Sequence, residues 1–155
     1  MTSASAPQAV GFLVSSAFRQ MRQVFARRLQ SLAITPPQAA VLMMLHRLPH
    51  ASLSEVARQA RGDTPTLCRI IDRLERRGLA RRQQNAVDRR CLVIKLTERG
   101  LKLALASQSI AEELERALLA GFTPRERLAL QRLLGRTLEN AVVLNRTPEH
   151  VEEAP

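Results

Sequence analysis

From Ala9 to Leu29, apolar residues return every three or four positions, at Val14, Ala17, Phe18, Met21, Phe25 and Leu29. That spacing predicts a long amphipathic helix. Arg19, Arg22, Arg27 and Arg28 fall mostly off its apolar stripe, and the small, polar residues 1–8 before it read as a frayed tail. A second helix opens at Thr35-Pro36-Pro37-Gln38, where a hydroxyl can cap, proline suits the first turn and glutamine stands three residues on. Its stripe is Ala40, Val41, Met44, Leu45 and Leu48, and it stops before Pro49. Ser52-Leu53-Ser54-Glu55 is another capping box, opening a short helix to Gln59 or Ala60. Gly62 breaks the pattern. Thr64 and Pro65 start the next helix, with Leu67, Ile70, Ile71 and Leu74 inward and Thr66, Arg69, Asp72, Arg73, Arg76 and Arg77 outside. Gly78 ends it in a left-handed conformation.

Beyond Gly78 the period changes from three-to-four to two. Leu79 to Gln84 and Cys91 to Leu96 read as paired strands, with Leu92, Ile94 and Leu96 on one face and residues 85–90 as the hairpin loop. Thr97 then caps a helix running to Ala120 and ended by Gly121. Thr123-Pro124-Arg125-Glu126 is a third capping box, and Leu130, Leu133, Leu134, Ala141 and Val142 mark a last helix to about Leu144. The acidic residues 147–155 are expected to form a disordered tail.

Four helices, two strands and two helices make a mainly α fold with a small β-wing. Two short helices, a tight break and a basic ribbon over residues 52–100 form a layout suited to entering DNA grooves. The long first helix has little of its own chain to pack on, so a partner subunit is expected to supply the missing surface. The expected organisation is a helical dimerisation region from residues 1–34 and 101–146, a winged helix-turn-helix region at 35–100, and the tail.

Charge sharpens this picture. The 155-residue chain has 24 Lys+Arg against 14 Asp+Glu, a net of +10, with nearly all the bases arginine. Residues 1–51 contain no acid at all, whereas residues 101–155 hold slightly more acids than bases. The positive part is the first two-thirds, and a polyanion is its natural partner. Two cysteines without CxxC spacing and three scattered histidines suggest neither a disulfide framework nor a metal site. With no Trp or Tyr, the core is aliphatic. No apolar run reaches membrane-span length, and the N-terminus lacks the basic region of a signal peptide, so a cytoplasmic location without membrane contact is expected. Neither a nucleophile–base pair nor a glycine-rich phosphate loop is visible, so an enzyme is not expected.

Residues 64–82 (TPTLCRIIDRLERRGLARR) and 88–100 (DRRCLVIKLTERG) resemble the multiple-antibiotic-resistance regulator (MarR) family. The likeness lies in a combination. A capped helix with R-x-x-D-R-L-E-x-x-G-L is followed at the right distance by D-x-R and then L-T-x-x-G. The likeness spans about residues 10–145. It implies a winged helix-turn-helix transcriptional regulator, an obligate homodimer on a palindromic double-stranded operator. Its first helix and last two helices would form the dimer, and a small ligand or an oxidant would release it from DNA. Most members of the family are repressors. The oxidant-sensing branch uses a cysteine in the N-terminal helical region, and residues 1–67 here have none. The zinc-responsive branch uses histidines and acids from several helices, and only His46 and His50 lie near that region.

On this reading the residues expected at DNA are Thr64, Thr66, Arg69, Arg73, Arg81, Asp88, Arg89 and Arg90. The first turn of a recognition helix enters the major groove, where Thr64 and Thr66 offer hydroxyls; the plainer alternative for Thr64 is a cap alone. One turn on, Arg69 can grip guanine O6 and N7. Arg73 meets phosphate or pairs with Asp72, Glu75 or Glu55. Arg81 and Arg82 lie on the first strand, and at least one of them should face the DNA backbone. A hairpin tip with Arg89 and Arg90 suits a narrow minor groove, with Asp88 orienting Arg90; the plainer alternative is an exposed turn with a local ion pair. The family's ligand cleft between the first helices and the fifth would take a small aromatic acid beside Arg19, Arg22, Met43 and His46. Cys68 and Cys91 fit as small core residues. Two alternative functions remain, a redox-responsive regulator acting through either cysteine, and a protein-interaction module on the same fold without DNA.

Overall fold

The computed structural model describes residues 9–49, 51–60, 64–84 and 92–146. Helix α1 spans Val10–Leu29 and runs into a 3-10 turn at Gln30–Leu32. Helices α2 (Pro36–Arg47), α3 (Leu53–Ala60) and α4 (Thr64–Arg76) follow, then strands β1 (Ala80–Gln84) and β2 (Leu92–Leu96), and finally α5 (Glu98–Leu118) and α6 (Pro124–Arg146). The chain divides into two compact units, residues 1–115 and 116–155.

The local signals work as their chemistry requires. Thr35 accepts from the Gln38 N–H while the Gln38 side chain accepts from the Thr35 N–H, closing the capping box of α2. Ser52 and Glu55 do the same for α3, and Thr123 and Glu126 for α6. After α4, the Gly78 N–H donates to the Glu75 carbonyl and the Leu79 N–H to the Leu74 carbonyl. That pair is a Schellman ending, and it requires the positive φ of 66° that Gly78 adopts. Gly121, at φ 84°, ends the following helical segment in the same region of backbone space.

The core of the first unit gathers Leu29 of α1, Ile34, Ala39, Val41, Leu42 and Leu45 around α2, Val56 of α3, and Leu67, Ile71 and Leu74 of α4. Leu79, Ala80, Ile94 and Ala104 close it. Two positions differ from the sequence pattern. In α2 the buried face is centred on Ala39 and Leu42, and Ala40 is exposed. The reason is that Ala40, two residues before Leu42, falls on nearly the opposite side of the helix from it, away from the arc that is buried. Helix α4 includes Thr64 itself, one residue ahead of the expected start at Pro65.

Strands β1 and β2 pair antiparallel, with Ala80 opposite Leu96, Arg82 opposite Ile94 and Gln84 opposite Leu92. Beyond that hairpin, Ser52 bridges Val93 and the Ile94 N–H donates to the Ala51 carbonyl at 3.1 Å. The second edge of β2 is therefore occupied, and both Val93 and Ile94 are buried although they point to opposite faces. The helix-turn-helix and its strands are thus stitched together at the start of α3. This is a winged helix-turn-helix arrangement.

Burial along α1 is uneven. Leu29 is fully buried and Phe25 half-buried, but Phe18 is 61% exposed, and Val10, Phe12, Leu13 and Val14 are exposed as well. Helix α6 likewise presents Leu128, Leu133, Leu134, Leu138, Val143 and Leu144 as exposed apolar side chains. No helix among the described residues is long and apolar enough to cross a membrane.

Candidate nucleic-acid interface

Helix α4 buries Leu67, Ile71 and Leu74, and the 3.6-residue repeat then places Thr64, Thr66, Arg69, Asp72, Arg73 and Arg76 on the exposed side. Among the described residues neither Arg69 nor Arg73 forms an ion pair. Glu55 is held by the hydroxyl and N–H of Ser52, with the backbone bond chief in lowering its pKa, and is not used by Arg73. Asp72 and Glu75 are both engaged by Arg82.

That engagement follows from the strand register. Arg82 lies opposite Ile94, on the face of β1 that also carries Ala80. Its Nη2 donates to Asp72 Oδ1 at 2.7 Å, its Nη1 to Glu75 Oε2, and its backbone N–H to Glu75 Oε1 at 2.6 Å. The hydrogen bond to Asp72 is the chief influence raising the pKa of this guanidinium. Arg81, one residue earlier, points to the other face and is exposed. Its direct cross-strand partner is Lys95, so two cations stand side by side there, an arrangement that is unfavourable unless an anion or solvent screens it.

The root of the wing is fixed to α5 by Thr97. Its hydroxyl donates to the Gly78 carbonyl at 2.8 Å and accepts from the Gly100 N–H at 3.1 Å, and its own N–H donates to the Leu79 carbonyl at 3.1 Å. The L-T-x-x-G stretch therefore ties the end of α4 to the start of α5.

The sequence-derived candidates divide accordingly. Thr64, Thr66, Arg69 and Arg73 share the exposed side of α4, and Arg81 stands exposed on the adjoining strand. Asp88, Arg89, Arg90 and Cys91 lie outside the described residues. Cys68 is half-buried, with a free thiol. A cleft of about 320 Å³ is lined by Leu45, His46, Ile94, Lys95, Leu96 and Leu101, among others. Of the four ligand candidates only His46 lines it. Arg19 and Arg22 are exposed on α1, where Arg19 donates to Ser16, and Met43 is half-buried on α2. No group of three or more His, Cys, Asp or Glu suited to a metal occurs among the described residues.

Lys95 is not singled out from sequence, and Arg82 is expected there only as one of two arginines that could face the DNA backbone. Arg82 carries a signal in principle, since period two puts it on the inward face of a strand that follows a helix bearing two acids three residues apart. Lys95 emerges only once the register is known.

The MarR family model matches residues 34–92. Among solved structures, the chain is similar to the Staphylococcus aureus MepR–DNA complex, with a TM-score of 0.79 and 26% identity over 86% of this chain and 96% of that one. It is similar to a mutant Escherichia coli MarR in complex with operator DNA, with a TM-score of 0.75 and 25% identity over 83% and 93% of the two chains. It is also similar to Bordetella bronchiseptica BpsR, whose DNA binding is regulated by 6-hydroxynicotinic acid, with a TM-score of 0.74 and 27% identity over 85% and 97%. The MarR family model thus lies on the helix-turn-helix of this chain, and the folds of these regulators match more than four-fifths of its length.

Proposed function

We propose that this protein is a cytoplasmic, DNA-binding transcriptional regulator that acts as a homodimer on a palindromic operator, as a repressor relieved by a small ligand. The observation that carries the reading is the exposed side of α4, where Thr64, Thr66, Arg69 and Arg73 stand together and neither arginine is ion-paired among the described residues. It is the second helix of a helix-turn-helix, the element whose first turns read base edges in the major groove. Arg69 suits a guanine edge and Arg73 a phosphate. Arg81 suits the backbone beside the wing, and Asp88, Arg89 and Arg90, which lie outside the described residues, are proposed for the minor groove. MepR and the E. coli protein, which share this fold, were both crystallised with DNA.

Residues 35–100 are the DNA-binding region on this reading, and residues 1–34 with 101–146 the dimerisation region. The exposed apolar side chains of α1 and of α6 support the second assignment, because a soluble monomer rarely leaves so many large apolar groups in water. The cleft holding His46 and Lys95 amid Leu45, Ile94, Leu96 and Leu101 suits a small aromatic acid, its ring against the aliphatic wall and its carboxylate near the ammonium.

Selection of bound fragments from a genomic pool tests the reading. Recovery of a palindromic site, with log affinity falling linearly and steeply against log salt, is the expected result. Full-length protein that retains no fragment at low salt overturns it. Repeating the selection with aromatic acids tests the ligand response.

A further inference from the structure

Asp72 puts negative charge on the side of α4 that carries Arg69, Arg73 and Arg76, and Glu75 adds a half-buried carboxylate on the adjoining flank. Asp72 stands three residues after Arg69 and four before Arg76, the spacing at which helical ion pairs form. Neither pair is made. The Arg76 Nε instead donates to the Asp72 carbonyl, at 3.4 Å. Both carboxylates are turned to Arg82, which meets them with two guanidinium nitrogens and its backbone N–H. The side chains of Arg82 and Glu75 are the more sheltered members, at 30% and 25% exposure against 51% for Asp72. A planar fork that spans two acids is a role for which arginine is suited and lysine is not.

We propose that Arg82 is a positioning residue for DNA binding that works by sequestering Asp72 and Glu75. It keeps Asp72 from capturing Arg69 and offsets two carboxylates that would otherwise repel an approaching phosphate backbone. Arg82 itself makes no DNA contact on this account. The proposal rests on the DNA-binding reading above and adds a residue, and a mode of action, to it.

The experiment measures affinity for the DNA fragment that wild-type protein selects, using the full chain and confirming helical content by circular dichroism. Four proteins are compared: wild type, Arg82→Ala, the double variant Asp72→Asn/Glu75→Gln, and the triple variant combining all three changes. Arg82→Ala is expected to bind about tenfold more weakly, the scale of one lost base contact. The double variant should bind as tightly as wild type or more tightly, and the triple variant should recover to within about threefold of wild type. A purely structural strut would not be rescued by neutralising its partners. The proposal is overturned if the triple variant stays as weak as Arg82→Ala, if Arg82→Ala binds like wild type, or if the double variant loses affinity. The double variant keeps Arg82 and so decides the matter even if Arg82→Ala does not fold. Wild-type protein that selects no DNA would instead sink the DNA-binding reading itself, before any variant is made.

Discussion

A β-carbon built on Gly100 would sit 1.8 Å from the carbonyl oxygen of Leu79. The first turn of α5 is pressed onto the backbone that leaves α4, and the Thr97 hydroxyl holds the two together. The glycine is required by space and not by its φ angle. Because the obstructing atom belongs to the backbone, no side-chain rotation relieves the clash. Gly100→Ala is expected to destabilise the protein by about 2 kcal/mol or more, lowering the melting temperature by about 4–8 °C. Thermal denaturation checks this. An unchanged melting temperature would mean that the α4–α5 junction is looser than its hydrogen bonds imply.

Arg69 and Arg73 share one side of α4 but are expected to fail differently. Arg69→Ala should remove about 1–3 kcal/mol of discrimination and relax the sequence preference at one operator position per half-site. Arg73→Ala should weaken binding to all sequences alike and lower the salt slope by about one. Affinities for a panel of single-base operator variants, each measured at several salt concentrations, separate the two. Identical profiles for both variants would refute the division of labour.

The first helix offers a contrast within one element. Leu29 is fully buried in the core, so Leu29→Ala is expected to lose about 2–5 kcal/mol of stability. Phe18, on the same helix, is 61% exposed. Phe18→Ser should therefore leave the helix-turn-helix core intact and shift the protein from dimer towards monomer at low concentration. Sedimentation velocity over a dilution series reads this directly. A dimer that dissociates no more readily than wild type would place the subunit contact elsewhere.

What was legible in the sequence was local. Thr35 with Gln38, Ser52 with Glu55, and Thr123 with Glu126 are caps whose partners lie three residues away, so spacing alone identifies them. Gly78 and the inward set of Leu67, Ile71 and Leu74 are legible for the same reason. What was not legible depends on partners far along the chain. Ala40 fits the apolar stripe of α2 and is exposed, because the packing of α4 and β2 decides which arc of that helix is covered. The bridge from Ser52 to Val93 joins residues about forty apart and leaves no mark on either segment. Arg81 and Arg82 were equivalent as adjacent basic residues. Only the strand register separates the one spent on Asp72 and Glu75 from the one left exposed beside Lys95.

Acid should act on the capping boxes in a defined direction. The hydroxyl and N–H of Thr123 lower the pKa of Glu126 from its ordinary 4.5, with the hydroxyl the larger influence. The N–H and hydroxyl of Ser52 lower that of Glu55, with the backbone bond first. A carboxylate whose folded pKa lies below its unfolded value stabilises the protein above the unfolded value. It loses that contribution as the pH falls through the folded one. Both caps are thus fully effective at neutral pH and fail below about pH 4.5. Glutamine at either position keeps the reciprocal hydrogen bond but not the charge. The variant Glu55→Gln/Glu126→Gln is therefore expected to melt below wild type at neutral pH and to converge with it as the pH is lowered towards about 3. Melting temperatures for the two proteins across that range provide the measurement. Curves that stay parallel down to the lowest pH would show that the carboxylate charge contributes nothing at these caps, and that their hydrogen bonds act as neutral ones.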